Sequence, residues 1–93
     1  MKTITLKEMY NLLGETLKAE TINQNHTVIH YENGSTLWSY KTLVAAYINN
    51  DHYFTKWHDY SVTTSKWVNK YCGYDTQTRR AMLKEELATL INY

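Results

Sequence analysis

The chain has 93 residues, a formal net charge of +1, and 43% apolar against 20% charged residues. That length holds one hydrophobic core, so a single domain spanning residues 1–93 is expected, and the composition excludes a disordered chain. The near-neutral charge excludes both an acidic mimic of DNA and a strongly basic nucleic-acid binder.

The first predicted element is a helix opening at Thr5. Thr5 and Glu8 have the spacing of a capping box, in which hydroxyl and carboxylate each satisfy an orphan backbone N–H. Ile4 before the cap and Met9 inside it have the spacing of a hydrophobic staple. Leu6, Met9, Leu13 and Leu17 recur at three- and four-residue intervals and give one apolar face, with Tyr10 and Leu12 beside it. Gly14 weakens the middle of this pattern by about 1 kcal/mol relative to Ala, and the helix is expected to fade near Glu20.

Strands follow. HTVIHYE, from His26 to Glu32, is rich in β-favouring residues and ends at Asn33-Gly34, a pair suited to a type I′ hairpin turn. The return strand begins at Ser35 and carries Leu37, Trp38 and Tyr40. Lys41 and Thr42 then predict a bulge or bend before LVAAYI. Asn49-Asn50-Asp51 is the second turn, and HYFTKWH the third strand.

The last third reads as helical. Thr63, Thr64 or Ser65 caps a short helix in which Thr64, Trp67, Val68 and Tyr71 share a face, and Gly73 follows as its C′ residue. Cys72 alongside reads as a small core residue. Asp75 caps a final helix with Met82, Leu83, Leu87, Leu90 and Ile91 as its apolar stripe. The expected fold class is α+β: a three-stranded antiparallel meander (four where the middle strand breaks), with one N-terminal and two C-terminal helices on one face.

Nine Tyr and three Trp stand against a single Phe. Such side chains serve equally to fill a thin core and to build a binding surface. The lone Cys72 excludes an internal disulfide and fits a reducing compartment. MKTITLKEMY lacks the apolar run of a signal peptide, so an intracellular protein with no membrane partner is expected.

Metal chemistry and catalysis find little footing. No CxxC or HExxH pattern is present, and His26 and His30, four apart on a strand, lie about 13 Å from each other. His26, His30, His52 and His58 read as histidines of the solvent face. No nucleophile, base and orienting group assemble around Cys72, and no glycine-rich phosphate loop exists, so neither an enzyme nor a cofactor is expected.

The stretch YSVTTSKWVNKY, from Tyr60 to Tyr71, carries the strongest hint of contact with a partner. A helix N-terminus offers free N–H groups to an anion. Thr63, Thr64 and Ser65 add hydroxyls, and Lys66 and Lys70 lie one turn apart. Arg79 and Arg80 extend the same patch. Lys56 to Arg80 holds five basic residues against Asp59 and Asp75. Tyr60, Thr63, Thr64, Ser65, Lys66, Asn69, Lys70, Arg79 and Arg80 are therefore the candidate partner- or phosphate-binding residues.

The segment from Ser39 to Cys72 also resembles a small uncharacterised domain found in phages, prophages and their Gram-positive hosts. Its members read as Y-x-T-x-V-A, a short strand pair, then Y-S-x-T-T-S-K-H-x-N. The matching positions are Tyr40, Thr42, Val44, Ala45, Tyr60, Ser61, Thr63, Thr64, Ser65, Lys66 and Asn69, with Trp67 where the family has His. The resemblance implies a mobile-element origin and action in the host cytoplasm. By analogy of size and context it implies an anti-CRISPR-like inhibitor that docks on a host defence protein such as a CRISPR effector nuclease. The alternative expectation is a nucleic-acid-binding accessory protein using the same basic patch.

Overall fold

The computed structural model describes all residues, Met1–Tyr93. A short strand, β1 (Thr3–Thr5), runs directly into helix α1 (Leu6–Leu13). The capping box is formed: Glu8 N–H donates to Thr5 Oγ1 at 3.1 Å, and Thr5 N–H to Glu8 Oε1 at 3.0 Å. Gly14 ends the helix. Its φ of 77° is one that side chains with a Cβ avoid, and its N–H closes on Tyr10 O. Met9 and Leu13 are wholly buried, each worth about 1.5–3 kcal/mol.

Beyond Gly14 the chain forms strand β2 (Thr16–Asn23), where a continuing helix was expected. Leu17 prolongs the helical spacing in sequence, yet it is exposed. Strands β3 (His26–Tyr31) and β4 (Gly34–Ser39) make the foreseen hairpin with Glu32-Asn33 as its loop. Neither Asn33 nor Gly34 takes a positive φ, so the type I′ expectation fails there. Gly34 serves another purpose: a Cβ on it would lie 2.0 Å from Tyr47 O of the neighbouring strand.

The anticipated bend at Lys41 is a full reversal. Tyr40, at φ 56°, turns β4 back into β5 (Thr42–Ile48), and a register shift after Leu37 leaves Val44 as a bulge. Asn49 and Asn50 both take positive φ, the type I′ combination, and lead into β6 (Asp51–Phe54). The third strand thus stops at Phe54, before Lys56 and Trp57.

Helix α2 (Val62–Cys72) is capped by Ser61, whose Oγ accepts from Thr64 N at 3.1 Å, so the expected caps Thr63, Thr64 and Ser65 lie inside the first turns. Gly73 takes the left-handed C′ position as predicted, and Asp75 caps α3 (Thr76–Lys84). Helix α3 ends in a Schellman pair, Leu87 N to Met82 O and Glu86 N to Leu83 O, with Glu86 at φ 62°. Leu90 and Ile91, read as part of a helical stripe, belong to strand β7 (Thr89–Asn92).

All seven strands join in one mixed sheet, in the order β1-β7-β6-β5-β4-β3-β2. The β6–α2–α3–β7 connection crosses the sheet, which makes β7 parallel to β6; β1 is parallel to β7, and the other pairs are antiparallel. This overturns the three- or four-stranded meander. Helices also cover both faces. Met9 and Leu13 of α1 pack on Leu43, Ala46, Ile48, Tyr53 and Ile91, while Val68 of α2 and Leu83 of α3 pack on Val28, Leu37, Ala45 and Phe54. No helix is long and apolar enough to cross a membrane.

Candidate functional site

Two layers of residues meet where the loop Thr55–Ser61 enters α2: a buried polar knot below and an aromatic, cationic ridge above. The knot is built on Arg79, which is 0% exposed. Its Nε donates to His58 Nδ1 at 3.0 Å and its Nη2 to His58 O at 3.1 Å and Thr76 Oγ1 at 3.2 Å. Its Nη1 donates to Asn69 Oδ1 and to Tyr74 O at 2.8 Å. All five guanidinium N–H groups are thus used, and every acceptor is neutral. Burial lowers the Arg79 pKa, with nearby carboxylates and the Cys72 thiol opposing that shift.

This geometry fixes the state of His58. Because Nδ1 accepts from Arg79, the ring proton sits on Nε2, which faces Asp59 Oδ2 at 3.9 Å. Burial lowers the His58 pKa first, and the charges of Arg79 and Arg80 lower it further against the pull of Asp59. His26 is likewise buried, bonded through Nδ1 to Asn23 Oδ1 at 3.1 Å and stacked on Trp67. The expectation of four solvent-face histidines is therefore corrected: His26 and His58 are buried, and His30 and His52 are partly covered. No three His, Cys, Asp or Glu side chains converge as a metal site would need.

The ridge comes from the loop and the outer face of α2. Trp57 and Tyr60 meet edge to face at 5.9 Å and are 38% and 49% exposed. Lys56 Nζ lies 4.9 Å from the Trp57 ring centroid, and Lys70 Nζ 4.6 Å from that of Trp67. The start of α2 adds Val62, 88% exposed, together with the exposed Thr63 and Lys66. Thr55 anchors the loop: its hydroxyl donates to Leu43 O at 2.7 Å and accepts from Trp57 N at 3.2 Å. The hydroxyls of Thr64 and then Ser39 lower the Tyr60 phenol from its usual pKa. No lysine of the chain forms a salt bridge, so Lys56, Lys66 and Lys70 are uncompensated cations.

The candidates from sequence divide accordingly. Tyr60, Thr63, Lys66 and Lys70 face solvent together, with Ser65 half-buried at the edge. Thr64 turns inward, its hydroxyl 3.2 Å from that of Ser39. Asn69 and Arg79 belong to the buried knot and extend no surface patch. Arg80 is exposed but bound to Asp59 through Nε at 2.8 Å and Nη2 at 2.7 Å. Lys56, Trp57 and Val62 were missed because the first two were assigned to a strand. The run Lys-Trp-His-Asp-Tyr, too polar for a central strand, was the available signal.

The chain belongs to a family of unknown function, DUF8033, whose model matches residues 4–88. The match takes in α1 and α3 as well as the Ser39–Cys72 segment. No curated protein and no solved structure matches the chain.

Proposed function

We propose that this domain is a non-catalytic binding module that grips a macromolecular partner with the ridge of Trp57, Tyr60, Val62, Lys56, Lys66 and Lys70. One observation carries the reading: two large aromatic rings are held half-exposed on an anchored loop with Lys56 over one of them, the helix that follows exposes Lys66 and Lys70, and no carboxylate neutralises the three lysines. Rigid aromatic anchors ringed by charge are the arrangement that concentrates binding energy in protein interfaces. In the mobile-element context suggested by the Ser39–Cys72 resemblance, the partner is a host defence protein in the cytoplasm, and a CRISPR effector nuclease is the form we favour. The domain would inhibit by covering the nuclease's DNA path.

The test is co-purification with candidate effector nucleases, followed by a DNA cleavage assay. Binding with loss of cleavage, relieved by Trp57→Ala with Tyr60→Ala, supports the proposal; full cleavage with no complex refutes it. A second reading, single-stranded nucleic acid, is favoured by Lys56 over Trp57 and Lys70 over Trp67, since stacking faces next to cations suit bases and phosphates. A gel shift that weakens with salt, with a log–log slope of roughly −0.7 per phosphate contact, and that is lost in Lys66→Glu with Lys70→Glu, would establish it instead.

A further inference from the structure

The two edges of the sheet differ. β1 offers three residues, whereas β2 runs for eight, all exposed except Asn23. Side chains on both of its faces are exposed, so neither helix layer covers this strand. The outer backbone groups of β2 have no ladder partner, which makes the strand a template for pairing.

The charge pattern of β2 says which strand it fits. Glu20 pairs with Val28, a residue buried beneath α2 and α3, and Lys18 pairs with His30 on that same face. Ala19, opposite Ile29, projects from the other face. Glu20 gives Oε1 to His30 Nε2 at 3.0 Å and keeps Oε2 free, while Lys18 has no ion pair. With a second copy antiparallel and Ala19 facing Ala19, each Lys18 stands across from the other copy's Glu20. Moving the twofold centre by one residue either way sets Lys18 against Lys18 or Glu20 against Glu20. Register shifts on both sides of Lys18–Thr21 confine regular pairing to this centre. Like charges directly opposite each other disfavour the slipped registers.

We propose that β2 is a self-pairing edge. Two copies join antiparallel about Ala19 into one continuous sheet, closed by two Lys18–Glu20 cross-strand pairs. The dimer uses both long edges, so assembly stops at two chains. It is independent of the ridge, which stays free on each copy.

Light scattering or sedimentation on the full chain, from micromolar to millimolar concentration, tests this. The wild type should move from the mass of one chain toward two. Lys18→Glu alone and Glu20→Lys alone should each weaken association by about tenfold or more. An equimolar mixture of the two variants should restore the dimer, because both cross-strand pairs are then opposite in charge. Circular dichroism melts matching the wild type confirm that the variants fold. A wild type that stays monomeric throughout, single variants that dimerise like the wild type, a mixture that stays monomeric, or masses above two chains would each overturn the proposal.

Discussion

Lowering the pH from 7.5 to 5 will destabilise this protein, and His58 will account for a measurable share of the loss. In the fold His58 Nδ1 accepts from Arg79 Nε at 3.0 Å, so a proton on Nδ1 would set a donor against a donor and a cation against a buried cation. The folded-state pKa of His58 is lowered, chiefly by burial. Below about pH 6.5 the unfolded chain therefore binds a proton that the folded chain refuses. With more protons on the unfolded state, stability rises with pH and falls on acidification through the unfolded pKa. Each histidine so held contributes up to about 1.4 kcal/mol per pH unit in that window.

His26 and His52 are lowered in the same direction by burial, so three such groups set a ceiling of about 4 kcal/mol per unit. His58→Asn places an acceptor oxygen near the Nδ1 position and cannot titrate. Urea unfolding followed by Trp fluorescence at pH 5 to 7.5 should show this variant losing stability less steeply, by up to about 1.4 kcal/mol per unit. Its baseline will be lower, because the imidazole also packs on Phe54 at 5.6 Å; the slope is the readout. Glu20 and Asp75, whose pKa values are lowered by bonds from His30 and Thr78, weaken the fold only in the more acidic carboxylate range. Parallel pH slopes for wild type and His58→Asn would refute the reasoning.

Arg79→Lys will cost about 3 kcal/mol or more in the same unfolding assay, because an ammonium has three donors and cannot span acceptors on the loop, α2 and α3 at once. Gly34→Ala will cost about 3 kcal/mol, since its Cβ would meet Tyr47 O at 2.0 Å and Ile48 Cα at 2.9 Å, both backbone atoms. Tyr71→Phe will cost about 1–2 kcal/mol by removing the donor to Ser35 O at 3.0 Å and the partner of Ser35 Oγ at 2.6 Å. Burial pushes the Tyr71 phenol up, so the wild type loses stability as pH climbs above about 10, where the unfolded phenol ionises; the variant lacks that contribution.

Local signals in the sequence held at several single turns, though not at Asn33-Gly34 or at the cap of α2. Thr5 with Glu8, Gly73, Asp75 and the two asparagines at Asn49-Asn50 all take the roles their chemistry implies. The errors that turned strand into helix share a cause. Leu17 and Leu90-Ile91 extend helical periodicities, but Gly14 at φ 77° and Glu86 at φ 62° stop those helices, and the residues beyond become strands only because β3, β6 and β1 offer ladders to them. Pairing between residues far apart in sequence leaves no mark in a local window. The same holds for the site. Nothing near Arg79 in sequence announces that His58, Asn69 and Tyr74 O will converge on it, so a residue counted with the surface cations is the most deeply buried of them.

The three histidines held neutral all lie between the sheet and the α2–α3 layer. His26 stacks on Trp67 of α2 at 5.4 Å, His52 meets Tyr74 edge-on at 5.2 Å in the α2–α3 connection, and His58 faces Arg79 of α3. The opposite face, where α1 packs on Leu43, Ala46, Ile48 and Ile91, contains no histidine. Acid therefore acts on one layer, and that layer carries the ridge: Arg79 ties the loop bearing Trp57 and Tyr60 to the helix bearing Lys66 and Lys70. Amide hydrogen exchange at pH 5.5, compared with pH 7.5 after correction for intrinsic rates, should show Thr55–Ser61, α2 and α3 losing protection before β5 and α1 do. Arg79→Lys should produce the same order already at pH 7.5. A uniform loss across both faces would mean that the two layers open together, and that the buried guanidinium does not set the stability of the ridge separately from that of the sheet.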